Sequence, residues 1–210
     1  VDIPQYEMRG FMIDCGRKFF PMDYLRKLVK IMAYYKMNTL QVHLNDNGFR
    51  QYFDNDWSKT QAAFRLESDT YPGLAAKDGS YSKQEFIDMQ ILAEQNYVEV
   101  IPEIEFPGHA CAALAAYPEF SCTPTGRHSV KVDGGIYNDV FNVGSPATLQ
   151  FAKDVLDEIV EIFPYSQVHI GGDECPTTAW SSNKECNDLM KAEGFSNIRE
   201  LQSRFVRLLA

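Results

Sequence analysis

No stretch of the 210 residues comes near the roughly 18 consecutive apolar positions of a bilayer-crossing helix, so no membrane insertion is expected. The first nine residues show no basic-then-apolar leader, which gives the chain the look of a processed or excised piece. Basic residues are the minority, 20 Lys and Arg against 29 Asp and Glu. The resulting net charge of −9 argues against phosphate backbones and anionic membranes, so no nucleic acid partner is expected. No GxGxxG or P-loop follows a strand pattern, which removes support for nucleotide chemistry. There is no HExxH, and Cys15, Cys111, Cys122, Cys175 and Cys186 form neither a CxxC pair nor a zinc spacing; neither a metal nor a cofactor is expected. Cysteine usage leaves the redox compartment open, since an odd number cannot pair fully within one chain. Gly (13) and Pro (10) do not dominate a chain that is 45% hydrophobic, and no long repeat is visible; disorder and fibrous architectures are therefore excluded.

What is present is an alternation of two periodicities. Phe11–Ile13, Thr39–Leu44, Val98–Ile104 and Val168–Ile170 are short, rich in branched residues, and predict strands. Leu25, Leu28, Val29, Met32 and Tyr35 recur at helical spacing. Ser82 with Glu85 forms a capping box ahead of Phe86, Met89, Leu92 and Ala93. Ser145 followed by Pro146 opens a third helical stripe, Leu149, Ala152, Leu156, Ile159 and Phe163. Four successive strand–helix units predict a parallel sheet with crossover helices. The connections from Asp46 to Tyr81 and from Pro107 to Gly144 are long, and loops at the carboxyl ends of parallel strands are where such folds place ligand sites. An eight-unit barrel takes about 250 residues. The expected fold class is therefore α/β, of (β/α)8 TIM-barrel type, with residues 1–210 supplying about the first four βα units as the N-terminal half of a catalytic barrel and no second domain visible; a doubly wound open sheet is the other possibility. The remainder would come from a longer chain or a partner.

Acidic residues concentrate where these strands end: Asp14, then Asn45-Asp46, then Glu103 and Glu105 ahead of Pro107-Gly108-His109, then Asp173-Glu174. In His169-Ile170-Gly171-Gly172-Asp173-Glu174 two glycines let the backbone bend and approach other groups closely. Adjacent carboxylates raise one another's proton affinity, so one can act as an acid while the other stays ionised. The competing structural reading is an acidic first helical turn.

HIGGDE followed by Trp180, IPEIEFPGHA at Ile101 to Ala110, Arg9-Gly10 before the first strand and HLND at His43 to Asp46 together resemble the family 20 glycoside hydrolases, the β-N-acetylhexosaminidases. The likeness runs from about Arg9 to the last helix, and AFRLESDTYPG (Ala63 to Gly73) is similar to the branch containing lacto-N-biosidases. The resemblance implies a retaining hydrolase of terminal β-linked N-acetylhexosamine or lacto-N-biose, in which the substrate's own 2-acetamido oxygen is the nucleophile, an exception to the two-carboxylate scheme. It implies Glu174 as the general acid and then base, Asp173 as the group that holds the acetamido N–H, and Asp46 with His109 as the pair supporting the acid. Arg9 corresponds to an arginine donating to sugar hydroxyls, and Trp180, with Trp57, Tyr71 and Tyr137, is a candidate stacking surface. Each has a plainer reading: Asp46 as a turn former, His109 as a helix cap, Arg9 as a surface arginine, the aromatics as core. His43 and His169 read as satisfied core residues, and no catalytic role falls on Glu103 or Glu105. The implied partners are N-acetylhexosamine-containing oligosaccharides or glycoconjugates, met at an extracellular or cell-surface location. The alternative from another class is a non-catalytic carbohydrate-binding remnant of the same fold.

Overall fold

The computed structural model describes residues 3–48, 64–131, 135–164 and 166–210. Trp57 lies outside the described residues. Strands β1 (Gly10–Asp14), β2 (Thr39–His43) and β3 (Glu99–Glu103) form a parallel sheet in that order. Alternation puts Leu40, Val42 and Leu44 on one side of β2, fully buried under the helices, and Gln41 and His43 on the other. Pro102 is accommodated in β3 although it lacks an N–H, and its carbonyl accepts from the His169 amide at 2.9 Å.

The predicted fourth strand, Val168–Ile170, is reduced to a single parallel bridge between His169 and Glu103. The reason is local: Gly171 and Gly172 adopt φ of +63° and +108°, which ends the ladder directly after Ile170. Register then lines up one residue from each segment: Asp14 opposite His43, His43 opposite Glu103, and Glu103 opposite His169. Acid, histidine, acid and histidine thus share one row at the carboxyl ends of the strands.

Helix α1 (Met22–Tyr34) buries Met22, Leu25, Val29 and Met32, as its periodicity requires. In α2 (Lys83–Gln95) the Ser82 side chain accepts from the Glu85 amide at 3.2 Å and the Glu85 carboxylate accepts from the Ser82 amide at 2.9 Å, a complete capping box. The connection after β3 is not a plain loop, because it contains α3 (Cys111–Ala116). Helix α4 (Pro146–Ile162) begins with proline in its first turn but without a side-chain bond from Ser145, and it buries Phe151, Ala152, Val155, Leu156, Ile159 and Ile162. Three helices follow: α5 (Thr178–Ser182), α6 (Lys184–Glu193) and α7 (Glu200–Leu209), the last buried through Leu201 and Phe205.

The segment Phe64–Gly73 proves to be scaffold. The fully buried Arg65 guanidinium donates to the carbonyls of Cys15, Gly16 and Gly79 and pairs with Asp78 at 2.7 Å, tying the turn after β1 to the long connection after β2. Ser68, Asp69 and Thr70 all donate to Glu158 of α4. All five cysteines are free thiols. Among the described residues no helix is long and apolar enough to cross a membrane.

The capping box yields a stability prediction. Ser82→Ala removes the acceptor for the Glu85 amide and should lower unfolding free energy by about 1 kcal/mol. Urea denaturation measures it, and an unchanged midpoint would show that tertiary packing alone holds the start of α2.

Candidate active site

The site grows from the row of strand ends. Glu103 accepts from Gln41 Nε2 at 2.7 Å and contacts His43 Nδ1 and His169 Nδ1, each at 3.0 Å. His43 turns its other nitrogen to Asp46, with Nε2 2.8 Å from Oδ2. Asp46 is only 1% exposed. It also holds Arg17 Nη2 at 2.8 Å and His109 Nδ1 at 3.1 Å, so one strand end and two connections each send a cationic or donating group to one carboxylate. Arg17 in addition pairs with Asp14 at 2.7 Å.

Electrostatics follow from this convergence. Burial alone would raise the Asp46 pKa, yet hydrogen bonds from His109 and His43 and the Arg17 charge hold it well below the usual carboxylate range. Burial alone would strip His43 of its proton; its bonds to Asp46 and Glu103 outweigh that and lift the ring to about 10. Glu103, likewise opposed by burial, is brought down to about 2 by the His43 bond and charge. His109 is raised by its bond to Asp46, against burial.

The far nitrogen of His109 faces the acidic pair. Nε2 stands 3.3 Å from Glu174 Oε2 and 3.7 Å from Asp173 Oδ2, within ion-pair reach but without the alignment of a hydrogen bond. The Asp173 and Glu174 side chains are 64% and 53% exposed, a sharp change from Asp46. Glu174 and His109 both adopt positive φ, +45° and +47°, a conformation that costs a non-glycine residue about 1–3 kcal/mol and clusters at functional sites. Arg17, Asp46, His109 and Glu174 share a cavity of about 200 Å³ with Asn47 and Ile136. That is below the roughly 300–1,000 Å³ of small-molecule sites, so these residues make one wall rather than an enclosure. A larger groove of about 790 Å³, lined by Ile87, Ile91 and Tyr97, lies at the opposite ends of the strands, beside Asn38 and Glu99, away from this chemistry.

Among the described residues two groups have donor atoms close enough to hold a cation, His43–Glu103–Glu105 and His109–Asp173–Glu174. In the first, each side chain is already engaged: His43 by Asp46 and Glu103, and Glu105 by the Gly172 amide.

This arrangement can be set beside known proteins. The family model for the glycosyl hydrolase family 20 catalytic domain matches residues 6–210. The chain belongs to glycosyl hydrolase family 20. It is 34% identical to a β-hexosaminidase of Porphyromonas gingivalis over 98% of the chain and 26% of that protein. It is 36% identical to a β-hexosaminidase of Akkermansia muciniphila over 97% of the chain and 41% of that protein. Its structure is similar to Flavobacterium johnsoniae chitobiase, with a TM-score of 0.87 and 28% identity over 100% of this chain and 30% of that one. It is also similar to a Vibrio harveyi exo-β-N-acetylglucosaminidase solved with N-acetylglucosamine, with a TM-score of 0.81 and 30% identity over 99% of this chain and 34% of that one. The family 20 fold is a (β/α)8 barrel, of which this chain covers a fragment, and the chain spans less than half the length of these relatives.

Of the residues singled out from sequence, the fold brings Asp46, His109, Asp173 and Glu174 together. Asp46 and His109 share a bond instead of acting as turn former and helix cap; α3 starts after Ala110, with no side-chain cap. Two expectations need correction. Arg9 precedes β1 and sits about 16 Å of strand away from the Asp14 end, and its guanidinium donates to the Tyr6, Glu7 and Lys36 carbonyls. Arg17, missed from the sequence, is the rim arginine; its signal was its position three residues beyond Asp14. Trp180 has a fully buried ring whose Nε1 donates to the Phe141 carbonyl at 2.8 Å, so it is a core anchor and offers no face to a sugar. Tyr71 packs on Phe151 and bonds Asp154, also as core, while Tyr137 lies under Lys131.

Asp46→Asn should destabilise by about 3–5 kcal/mol, the cost of leaving buried partners uncompensated. Asp46 contributes stability that is present above its ordinary value near 3.8 and lost as pH falls. The raised His43 contributes stability that is complete below about 6.5 and lost as pH rises through about 10. Denaturation midpoints across pH 3–10 should therefore fall on both sides in the wild type and vary less in the variant. Equal slopes would show that the network does not hold the rim.

Proposed function

We propose that the natural protein carrying this chain hydrolyses terminal β-linked N-acetylhexosamine with retention of configuration, using the substrate's 2-acetamido group as nucleophile. The observation that carries this reading is His109, a single imidazole spanning the buried Asp46 anion and the exposed Asp173–Glu174 pair. In this reading Glu174 gives a proton to the departing glycosidic oxygen and then takes one from water. Its neighbour His109, held through Nδ1 by Asp46, sets the position of the Glu174 carboxyl. Asp173 accepts the acetamido N–H, aims the carbonyl oxygen at the anomeric carbon, and offsets the positive charge of the oxazolinium intermediate.

Spacing supports this scheme over inversion. Oxygens of Asp173 and Glu174 lie within 4.8 Å of each other and of a His109 nitrogen. An inverting pair needs about 6.5–9.5 Å to admit water between its carboxyl groups. Carboxyl groups this close leave no room for that water, as retention requires; the substrate's own acetamido oxygen as nucleophile is what the family resemblance adds. The hydroxyl-binding role first given to Arg9 falls to Arg17, whose charge already reaches the cavity wall through Asp46. The lacto-N-biose specificity stands as a finer proposal, and an extracellular or cell-surface location follows from the substrate class.

The test uses the full-length natural protein. Glu174→Gln should lower kcat about 10²–10⁴-fold on an aryl glycoside with a poor leaving group and far less on an activated one. Asp173→Asn should reduce kcat more than it raises KM. Equal losses by Glu174→Gln on both substrates would remove the acid role. Release of a monosaccharide by the wild type identifies an exo-hexosaminidase, release of a disaccharide a lacto-N-biosidase. Release of neither would leave a binding role only.

A further inference from the structure

Glu105 is a buried acid of the site that the proposed chemistry leaves unused. It is 2% exposed, two residues beyond the end of β3. Its amide donates to Asn45 Oδ1 at 2.7 Å, which fixes the backbone. Its Oε2 accepts from the Gly172 amide at 3.3 Å, and its carboxyl group lies so close to Gly171 that a Cβ there would fall 2.0 Å from Oε2. Only glycine, at the φ of +63° found there, leaves room for that carboxyl group. The carboxyl group is thus seated against the two glycines that lead directly into Asp173.

We propose that Glu105 and Asp173 share one proton, with Glu105 as the positioning residue that donates it and so fixes the Asp173 carboxyl group for the acetamido N–H. This rests on the function proposed above.

The surroundings of Glu105 explain why it keeps a proton. Asp173 faces it from the loop after His169, and the Glu103 carboxylate comes within 4.8 Å along with His43. The cations that act on it are His43, from the end of β2, Arg17, from the turn after β1, and His109, from the loop after β3. All three are already committed to Asp46, and His43 also to Glu103. The remaining titratable neighbour, Cys175, is a buried thiol whose proton affinity burial pushes up to about 12. A charge on Glu105 would thus stand beside two other carboxyl groups with no counterion of its own. Burial first, and the Asp173 bond second, raise it to about 8. Two carboxyl groups in contact cannot both ionise cheaply, and one shared proton orients both.

Infrared spectra of the full-length protein decide the protonation without reference to activity. At pH 6.5 the wild type should show the carbonyl stretch of a buried, protonated carboxylic acid, fading with a midpoint near pH 8; Glu105→Gln should lack it. Absence of the band in wild type at pH 6.5 overturns the proposal even if no variant folds, as does its persistence in Glu105→Gln. Kinetics on an activated aryl N-acetylglucosaminide, which needs little acid assistance, test the positioning. Glu105→Ala should lose about 10–100-fold in kcat, the worth of one hydrogen bond to a charged group. Glu105→Gln, whose amide still donates, should recover most of that loss and should lack the decline above pH 8. A Gln variant as impaired as Ala, or one that keeps the wild-type alkaline decline, overturns the positioning role. A wild type that shows the band yet cleaves no hexosaminide would refute the function and leave the shared proton standing.

Discussion

A carboxylate buried to 1% exposure cannot remain ionised unless its surroundings supply what water did, and Asp46 obtains that from three directions at once. Arg17 comes from the turn after β1, His43 from the end of β2 and His109 from the loop after β3. His43 is fixed by the strand ladder, whereas Arg17, Asp46 and His109 each lie in the connection that follows a strand. The desolvated charge therefore acts as a structural pin, drawing the three loops to one point above the sheet. His43 extends the pin downward, because parallel register has already set it opposite Glu103, and Glu103 opposite His169.

From this buried network to the rim the environment changes over one imidazole. Below His109, Asp46 and Glu103 are buried against cationic partners that hold them ionised; above it Asp173 and Glu174 are more than half exposed. The backbone mirrors this change. The segment Gly171 to Glu174 leaves the extended conformation through two glycines and ends in a left-handed glutamate, so the pair projects from the sheet edge rather than along it. Gly171 is needed for a reason unrelated to ligand approach: the Glu105 carboxyl group occupies the space a side chain would take.

Elements governed by local rules were legible in the sequence. The capping box of α2, the apolar stripes of α1 and α4, and the first three strands all depend on residues close together in the chain, and all appear within a residue or two of expectation. The failures were of orientation and depth. Arg9 precedes a strand whose carboxyl end carries the site, so strand direction alone places it at the wrong end; the same logic favours Arg17. Trp180 follows the acidic pair closely enough to invite a sugar-stacking role, but its ring is buried and its Nε1 is held by the Phe141 carbonyl, 39 residues earlier in the chain. Glu103 and Glu105, two apart, share the side of the sheet that carries His43. Recognising them as partners of His43 and Asp173 requires the register between strands, which long crossover connections do not encode.

The exposure of Asp173 and Glu174 also has a physical consequence for the proposed reaction. In water their field is strongly screened, and an oxazolinium ion beside them would gain little. A sugar seated with its acetamido group against Asp173 removes that water, and the same carboxyl groups then act at shorter effective range on the charge that develops. The buried network is already assembled around Asp46 and Glu103 before any sugar arrives. The substrate thus completes the desolvation at the rim, and the fold holds ready the part of the electrostatics that must not move.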